Sequence, residues 1–224
     1  MFPLVAAILA SDQVRAVLDR LHARAEVEDE EASQRVKARE AELGTRLAPP
    51  QRYELYQDAP LAITPEVGRL YYLMATSRAA MSIVEFGASH GISTIYLAAA
   101  LHDVGKGSLI TTEILPQKAN WTAQNLKEAQ LDDLVEIRMG DALETLQDLP
   151  EGIDMLVLDG RNDQYISILE LVEPRLSRHA LIVADLGKDD PDLQNYQRYL
   201  RDAASRYVTV TLPLDAGIEA TVLS

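Results

Sequence analysis

The chain has 224 residues and no cysteine, which excludes disulfide frameworks, thiolate zinc sites and cysteine nucleophiles. Its 21 Lys plus Arg against 35 Asp plus Glu give a net charge of −14, which argues against nucleic-acid partners held through phosphate contacts. The length suits one domain of about 100–200 residues with an extension.

The opening MFPLVAAILA is apolar over ten residues with no basic residue before it. A membrane helix needs roughly 20 apolar residues, and a signal peptide starts with basic ones, so the expectation is a soluble, cytoplasmic protein with no membrane partner. Residues 1–58 read as a helical extension: Val14, Leu18 and Leu21 recur at i, i+4 and i+7, and Val36 with Leu43 continue the spacing. Gly44 and then Pro49-Pro50 end the helical pattern. The acidic run Glu26–Glu31 reads as a solvated face or a loop.

From Ser82 the pattern changes to short apolar runs alternating with amphipathic stretches. The runs are 82–86, 108–113, 135–139, 153–159, 179–185, 207–212 and 218–223, and the helices lie near 92–101, 118–129, 142–149, 165–176 and 192–204. Pro116 stands where a helix starts. This alternation predicts a parallel sheet with helices on both faces. The last two strands are joined only by Pro213–Gly217, too short for a crossover, so they form an antiparallel hairpin. The fold class is therefore α/β: a Rossmann-like, seven-stranded mixed sheet with an antiparallel last strand, residues 59–224 carrying the sheet.

Ligands of open α/β sheets bind beyond the carboxyl ends of the strands, so the strand exits hold the candidate site. The first exit reads Glu85-Phe86-Gly87-Ala88-Ser89-His90-Gly91, and a helix opens at Ile92-Ser93. Its glycines let a ligand approach the backbone, and the helix start favours an anion. The second exit is Glu113, placed to accept hydrogen bonds from a ribose diol or, equally, to serve as a helix-start charge. The third is Gly140-Asp141-Ala142, whose Asp can cap a helix or meet an adenine amine; the fourth is Asp159-Gly160-Arg161-Asn162 and the fifth Asp185.

With these exits on the page, the chain resembles the class I S-adenosylmethionine-dependent methyltransferases, and within them the catechol and caffeoyl-CoA O-methyltransferase-like family. The resemblance spans about residues 60–224 and rests on the order of Ile63-Thr64-Pro65-Glu66-Val67-Gly68, VEFGASHGIST, TTEILP, the GDA turn, LVLDGRNDQY, LIVAD and AGIEATVL. It implies methyl transfer from S-adenosylmethionine to a small-molecule hydroxyl, in a homodimer whose N-terminal helices cover the substrate mouth. It further implies a cofactor site made of Ile63, Glu85, Gly87, Ser89, Gly91, Ser93, Glu113, Ile114, Gly140, Asp141, Ala142 and Asp159, with the Gly87–Gly91 loop and Ser93 on the methionine part, Glu113 on the ribose, Asp141-Ala142 at the adenine and Ile63 on the far side.

Two departures bear on the chemistry. Metal-assisted members carry a lysine three residues after the strand-four Asp, where this chain has Asn162, and an Asn after the strand-five Asp, where it has Leu186. Asp159 and Asp185 remain as a metal pair that could hold Mg²⁺ or Ca²⁺ with waters, one ligand short, with Asp189 or Asp190 as replacements. A phenol near pKa 10 needs a base, and Asp159, Asp185 or His90 can supply one. Two other functions stay open. A nicotinamide-dependent oxidoreductase would need glycines where Ser89 and Ile92 stand. A catalytically silent cofactor-binding or dimerisation protein accords with Asn162 and Leu186.

Overall fold

The computed structural model describes residues 7–187 and 190–224. The first six residues of the apolar opening, and Asp189 among the replacement acids, lie outside the described residues.

The helix α1 (Asp12–Leu43) starts where the Ser11 hydroxyl accepts from the Val14 N–H and ends at Gly44, whose left-handed φ of 65° suits a residue without Cβ. The acidic run Glu26–Glu31 is thus neither loop nor break but the middle of α1. A second helix, α2 (Pro49–Tyr56), follows, so the proline pair opens a helix rather than closing one. A third, α3 (Pro65–Arg78), was not expected from the sequence, although the Thr64 hydroxyl caps it by accepting from Val67 N–H at 3.3 Å.

Thereafter β1 (Ser82–Phe86), α4 (Ile92–Val104), β2 (Ser108–Glu113), α5 (Pro116–Glu128), β3 (Val135–Met139), α6 (Ala142–Thr145), β4 (Ile153–Leu158), α7 (Tyr165–Val172), β5 (Leu176–Asp185), α8 (Pro191–Asp202), β6 (Tyr207–Leu212) and β7 (Ile218–Leu223) alternate as expected. Several bounds differ: α4 runs on to Val104 rather than 101, α6 stops after four residues, short of Leu149, α7 ends at Val172 rather than 176, and β5 begins at Leu176 rather than 179. The seven strands run β3-β2-β1-β4-β5-β7-β6, parallel except that β7 is antiparallel to both β5 and β6. The strand order switches direction between β1 and β4, where open α/β sheets form their ligand crevice.

Successive strand residues point to opposite faces, and each face has its own core. Ile83, Leu109, Met155, Val157 and Val183 pack with α1, α3, α4 and α5, while Val84, Ile110, Leu156, Leu158 and Ile182 pack with α6, α7 and α8. The stripe Val14, Val17, Leu18 and Leu21 is buried in the first of these, each side chain contributing about 1.5–3 kcal/mol by leaving water. α4 is buried along almost its whole length because α3 covers its outer face. Gly68 permits that approach: a Cβ there would stand 2.2 Å from the Tyr96 ring. No helix among the described residues is long and apolar enough to cross a membrane.

Candidate active site

At the carboxyl ends of β1, β2 and β4 the chain encloses a cavity of about 410 Å³. Three loops build its floor. Gly87 turns at φ +102°, and a Cβ there would meet the Asp159 carbonyl at 2.5 Å, so this turn can pass so close to β4 only without a side chain. Its N–H donates to Thr112 Oγ1, and the Ala88 N–H donates to the Thr112 carbonyl. Ser89, also left-handed at φ 48°, donates its N–H to Glu113 Oε2 at 2.8 Å. Glu113 Oε1 accepts from the Leu115 N–H at 2.9 Å. Burial pushes the Glu113 carboxyl up, and the Leu115 N–H, Lys118 and the Ser89 N–H pull it back. Asp141 caps α6 by accepting from the Leu143 N–H at 2.9 Å, and the Gly140 N–H donates to the Glu113 carbonyl.

Of the sequence-predicted cofactor residues, Ile63, Gly87, Ser89, Ser93, Glu113, Ile114, Gly140, Asp141, Ala142 and Asp159 line this cavity together, and Asp185 joins them. Glu85 and Gly91 do not. Glu85 is fully buried behind the loop, accepting from Thr94 and Thr111 hydroxyls at 2.6 Å each, and so ties β1, α4 and β2 together. Gly91 begins α4 in the left-handed region.

His90 is not brought to the other candidate bases. Its ring is 1 % exposed, packs against Trp121 at 4.5 Å between centroids and does not line the cavity. Burial, then Lys118 and Arg24, push its pKa down to about 3, so the ring is neutral.

Asp159 and Asp185 do meet. Burial and the Asp185 charge hold the Asp159 carboxyl well above the usual range. Burial and Asp215 push Asp185 up to about 6. Like charges this close favour one shared proton, and the pair titrates as a unit. The donor set does not fit a full divalent site. Leu186, buried in the core, offers no oxygen; Asn162 turns its amide to Asp190 Oδ2 at 3.3 Å; and no group of three His, Asp or Glu side chains placed to share a metal occurs among the described residues. Asp190 is itself engaged in capping α8 through the Asp192 N–H.

Several lining residues had no signal in the sequence. Asp29 of α1 and Tyr53 of α2 reach the cavity, as does Lys118 of α5. Asp29 accepts from the Leu61 and Ala62 N–H groups at 2.7 and 2.9 Å, fixing the strap 59–63 across the mouth. Arg161 lies over the Tyr53 ring at 5.6 Å. An adjoining hollow of about 340 Å³ shares Tyr53, Leu61, Gly160 and Arg161 with the main cavity and adds Tyr56, Arg46 and Arg52.

A family model described as a methyltransferase domain matches residues 84–185. A catechol O-methyltransferase from Niastella koreensis is 31% identical over 169 residues, covering 73% of this chain and 75% of the relative. Among solved structures, an O-methyltransferase from Streptomyces achromogenes involved in tomaymycin synthesis, determined with S-adenosylmethionine, superposes with a TM-score of 0.65 at 26% identity, covering 75% of this chain and 84% of that one. An O-methyltransferase from Bacillus cereus, determined with S-adenosylhomocysteine, shares the fold with a TM-score of 0.67 at 24% identity, covering 78% and 88%.

Proposed function

We propose that this chain, which belongs to the class I S-adenosylmethionine-dependent O-methyltransferase family, moves a methyl group from S-adenosylmethionine to a hydroxyl oxygen of a small phenolic or catecholic acceptor. The observation that carries the reading is one cavity lined at once by the Gly87–Ser89 turn, Glu113, the Gly140–Ala142 turn and the Asp159–Asp185 pair.

When bound, S-adenosylmethionine supplies a methyl on a positively charged sulfur, already activated for attack. The residues have to place it and deprotonate the acceptor. Glu113 keeps lone pairs free beyond its two backbone bonds and accepts from the ribose hydroxyls. The Gly140–Ala142 turn receives the adenine, and Ile63 closes the side under the strap. The acceptor enters by the hollow between Tyr53 and Tyr56. The Asp159–Asp185 pair would take up the acceptor's hydroxyl proton, and the oxygen so freed would accept the methyl that the cofactor supplies. A carboxyl raised to about 6, as Asp185 is, makes a better base for a phenol than one of ordinary pKa.

The same reading places the enzyme in the cytoplasm and makes it a homodimer, with residues 1–58 as cover of the mouth. In support, Asp29 and Tyr53 line the cavity and Val27 and Leu43 of α1 remain exposed. Light scattering at twice the monomer mass is the outcome that accords with a dimer.

The test of function is calorimetric titration with S-adenosylhomocysteine, followed by a screen of catechols and related phenols for methyl transfer. Binding is expected in the wild type and weaker binding in Glu113→Ala, which lacks the ribose acceptor. Absence of binding to the wild type, or undiminished binding to the variant, overturns the assignment.

A further inference from the structure

The hollow through which the acceptor enters has two unlike walls. One comes from the segments after β4 and β5 and carries Asp163, Asp190 and Asp192; the other comes from the turn between α1 and α2 and from α2 itself, and carries Arg46, Arg52 and Tyr56. The acids are engaged. Asp163 accepts from Nε and Nη2 of Arg161, at 3.0 and 2.5 Å. Asp190 accepts from the Asn162 amide and the Asp192 N–H. Asp192 stands in the first turn of α8, where the helix dipole favours its charge, and Arg46 acts on it through space.

The arginines of the opposite wall are not engaged in this way. A guanidinium only donates. Among the described residues Arg46 has no hydrogen bond or ion pair, and Arg52 has only Glu40, its Nε 3.8 Å from Oε1 and without a hydrogen-bond partner. Acids outnumber Lys plus Arg by 35 to 21 in this chain, yet none of them meets these two donors closely. The hollow therefore offers donors and lacks an acceptor.

Its position ties it to the reaction. Tyr53, Leu61, Gly160 and Arg161 line both the hollow and the main cavity, so one molecule can lie in the two at once. With its hydroxyl at the Asp159–Asp185 pair, its other end occupies the hollow of about 340 Å³. Arg52 and Tyr56 are one turn apart on α2 and share a face, which sets a cation beside an aromatic wall.

We propose that the methyl acceptor carries a carboxylate on a short tail, and that Arg46 and Arg52 select it by binding that group in the hollow. The inference rests on the methyltransferase reading above and narrows the class of its acceptor. The guanidinium fork matches a planar carboxylate. Asp190 and Asp192 across the hollow repel a second negative charge, which disfavours a phosphate ester.

The experiment is calorimetry on the full chain saturated with S-adenosylhomocysteine. Three ligands are compared: a catechol with a propanoate tail para to one hydroxyl, its uncharged carboxamide, and the amine of the same tail length. The propanoate is expected to bind about tenfold or more tighter than the carboxamide, as for one charged hydrogen bond, and the amine weakest of the three. In Arg46→Gln/Arg52→Gln the ratio between propanoate and carboxamide should fall to within about threefold. Raising NaCl from about 50 to about 500 mM should narrow the same ratio in the wild type, because both guanidiniums meet solvent, and this carries the comparison if the double variant does not fold. Equal binding of propanoate and carboxamide, tighter binding of the amine, a preference that survives both substitutions or the added salt, or no binding of any of the three overturns the proposal. A wild type that binds no S-adenosylhomocysteine instead overturns the methyltransferase reading, and the selection with it.

Discussion

Asp29→Ala tests whether the N-terminal helix controls access to the cofactor. The carboxylate accepts the N–H groups of Leu61 and Ala62, and Leu61 sits at φ 49°, a left-handed conformation that a leucine adopts only when its surroundings impose it. A hydrogen bond to a charged group contributes about 1.5–3 kcal/mol. The Leu61 end of the strap is exposed and regains water when the carboxylate goes, so about 2 kcal/mol is the realistic loss for the pair. That corresponds to a rise of roughly thirtyfold in the ratio of open to closed strap. Apparent cofactor affinity scales with the closed fraction, so S-adenosylhomocysteine binding should weaken by at most about thirtyfold, and by less the more completely the wild-type strap is closed. Amide hydrogen exchange over 58–64 and calorimetric titration read the two quantities independently. If strap protection and affinity both match the wild type, Asp29 does not hold the strap and the account is wrong.

Gly87→Ala should abolish cofactor binding and lower thermal stability by several degrees, because a Cβ at φ +102° would drive into the Asp159 carbonyl 2.5 Å away; thermal unfolding and calorimetry decide this. His90, with its pKa pushed down to about 3, binds a proton more readily in the unfolded chain than in the folded one. Its contribution is fully present above about pH 6.5 and is lost as pH falls toward 3, so His90→Phe, which keeps a ring on Trp121, should flatten the loss of stability between pH 7 and pH 4. Chelation with EDTA should slow methyl transfer by less than about a hundredfold, a barrier change of roughly 2.7 kcal/mol. A greater loss, restored by Mg²⁺, would mean that Asp159 and Asp185 do hold a catalytic metal.

The sheet was legible because its central strands β1, β2 and β4 are buried on both faces and read as short apolar runs, and because each of the first five strands exits into a Gly turn or a carboxylate. Loop residues such as Gly87, Glu113 and Asp141 were legible for the same reason: they follow directly from a strand end. Residues brought in from elsewhere were not. Asp29 lies in an acidic run, and such runs usually face solvent; only the return of the strap over α1 gives it two N–H partners. Lys118 reads as the polar face of an amphipathic helix, and it is the approach of Ser89 that buries it. The start of α3 did carry a signal, Thr64-Pro65-Glu66, with a cap and a proline at the first helical position. It was obscured because Tyr72 and the exposed Leu73 blur the stripe of Val67, Leu70, Tyr71, Met74 and Ala75 that packs on the core. The proline pair at 49–50 misled in the opposite sense, since proline both ends helices and begins them.

The two departures around Asp159 and Asp185 make one physical argument. A metal site would meet their charge with a cation, held by these carboxylates and a further oxygen. Here the third position is Leu186, buried in the core beside Gly217, where a Cβ would lie 3.3 Å from its Cδ1. The place of the lysine is taken by Asn162, whose amide is turned to Asp190. Neither residue brings positive charge to the pair, and Asp215 adds negative charge to it. A buried pair of like charges that lacks a counter-ion relieves itself by taking up a proton. Burial raises both carboxyls first of all, with the Asp185 charge adding to it at Asp159 and Asp215 at Asp185, and with no cation from the lysine or asparagine positions to offset it the pair is left suited to exchange a proton with an acceptor hydroxyl.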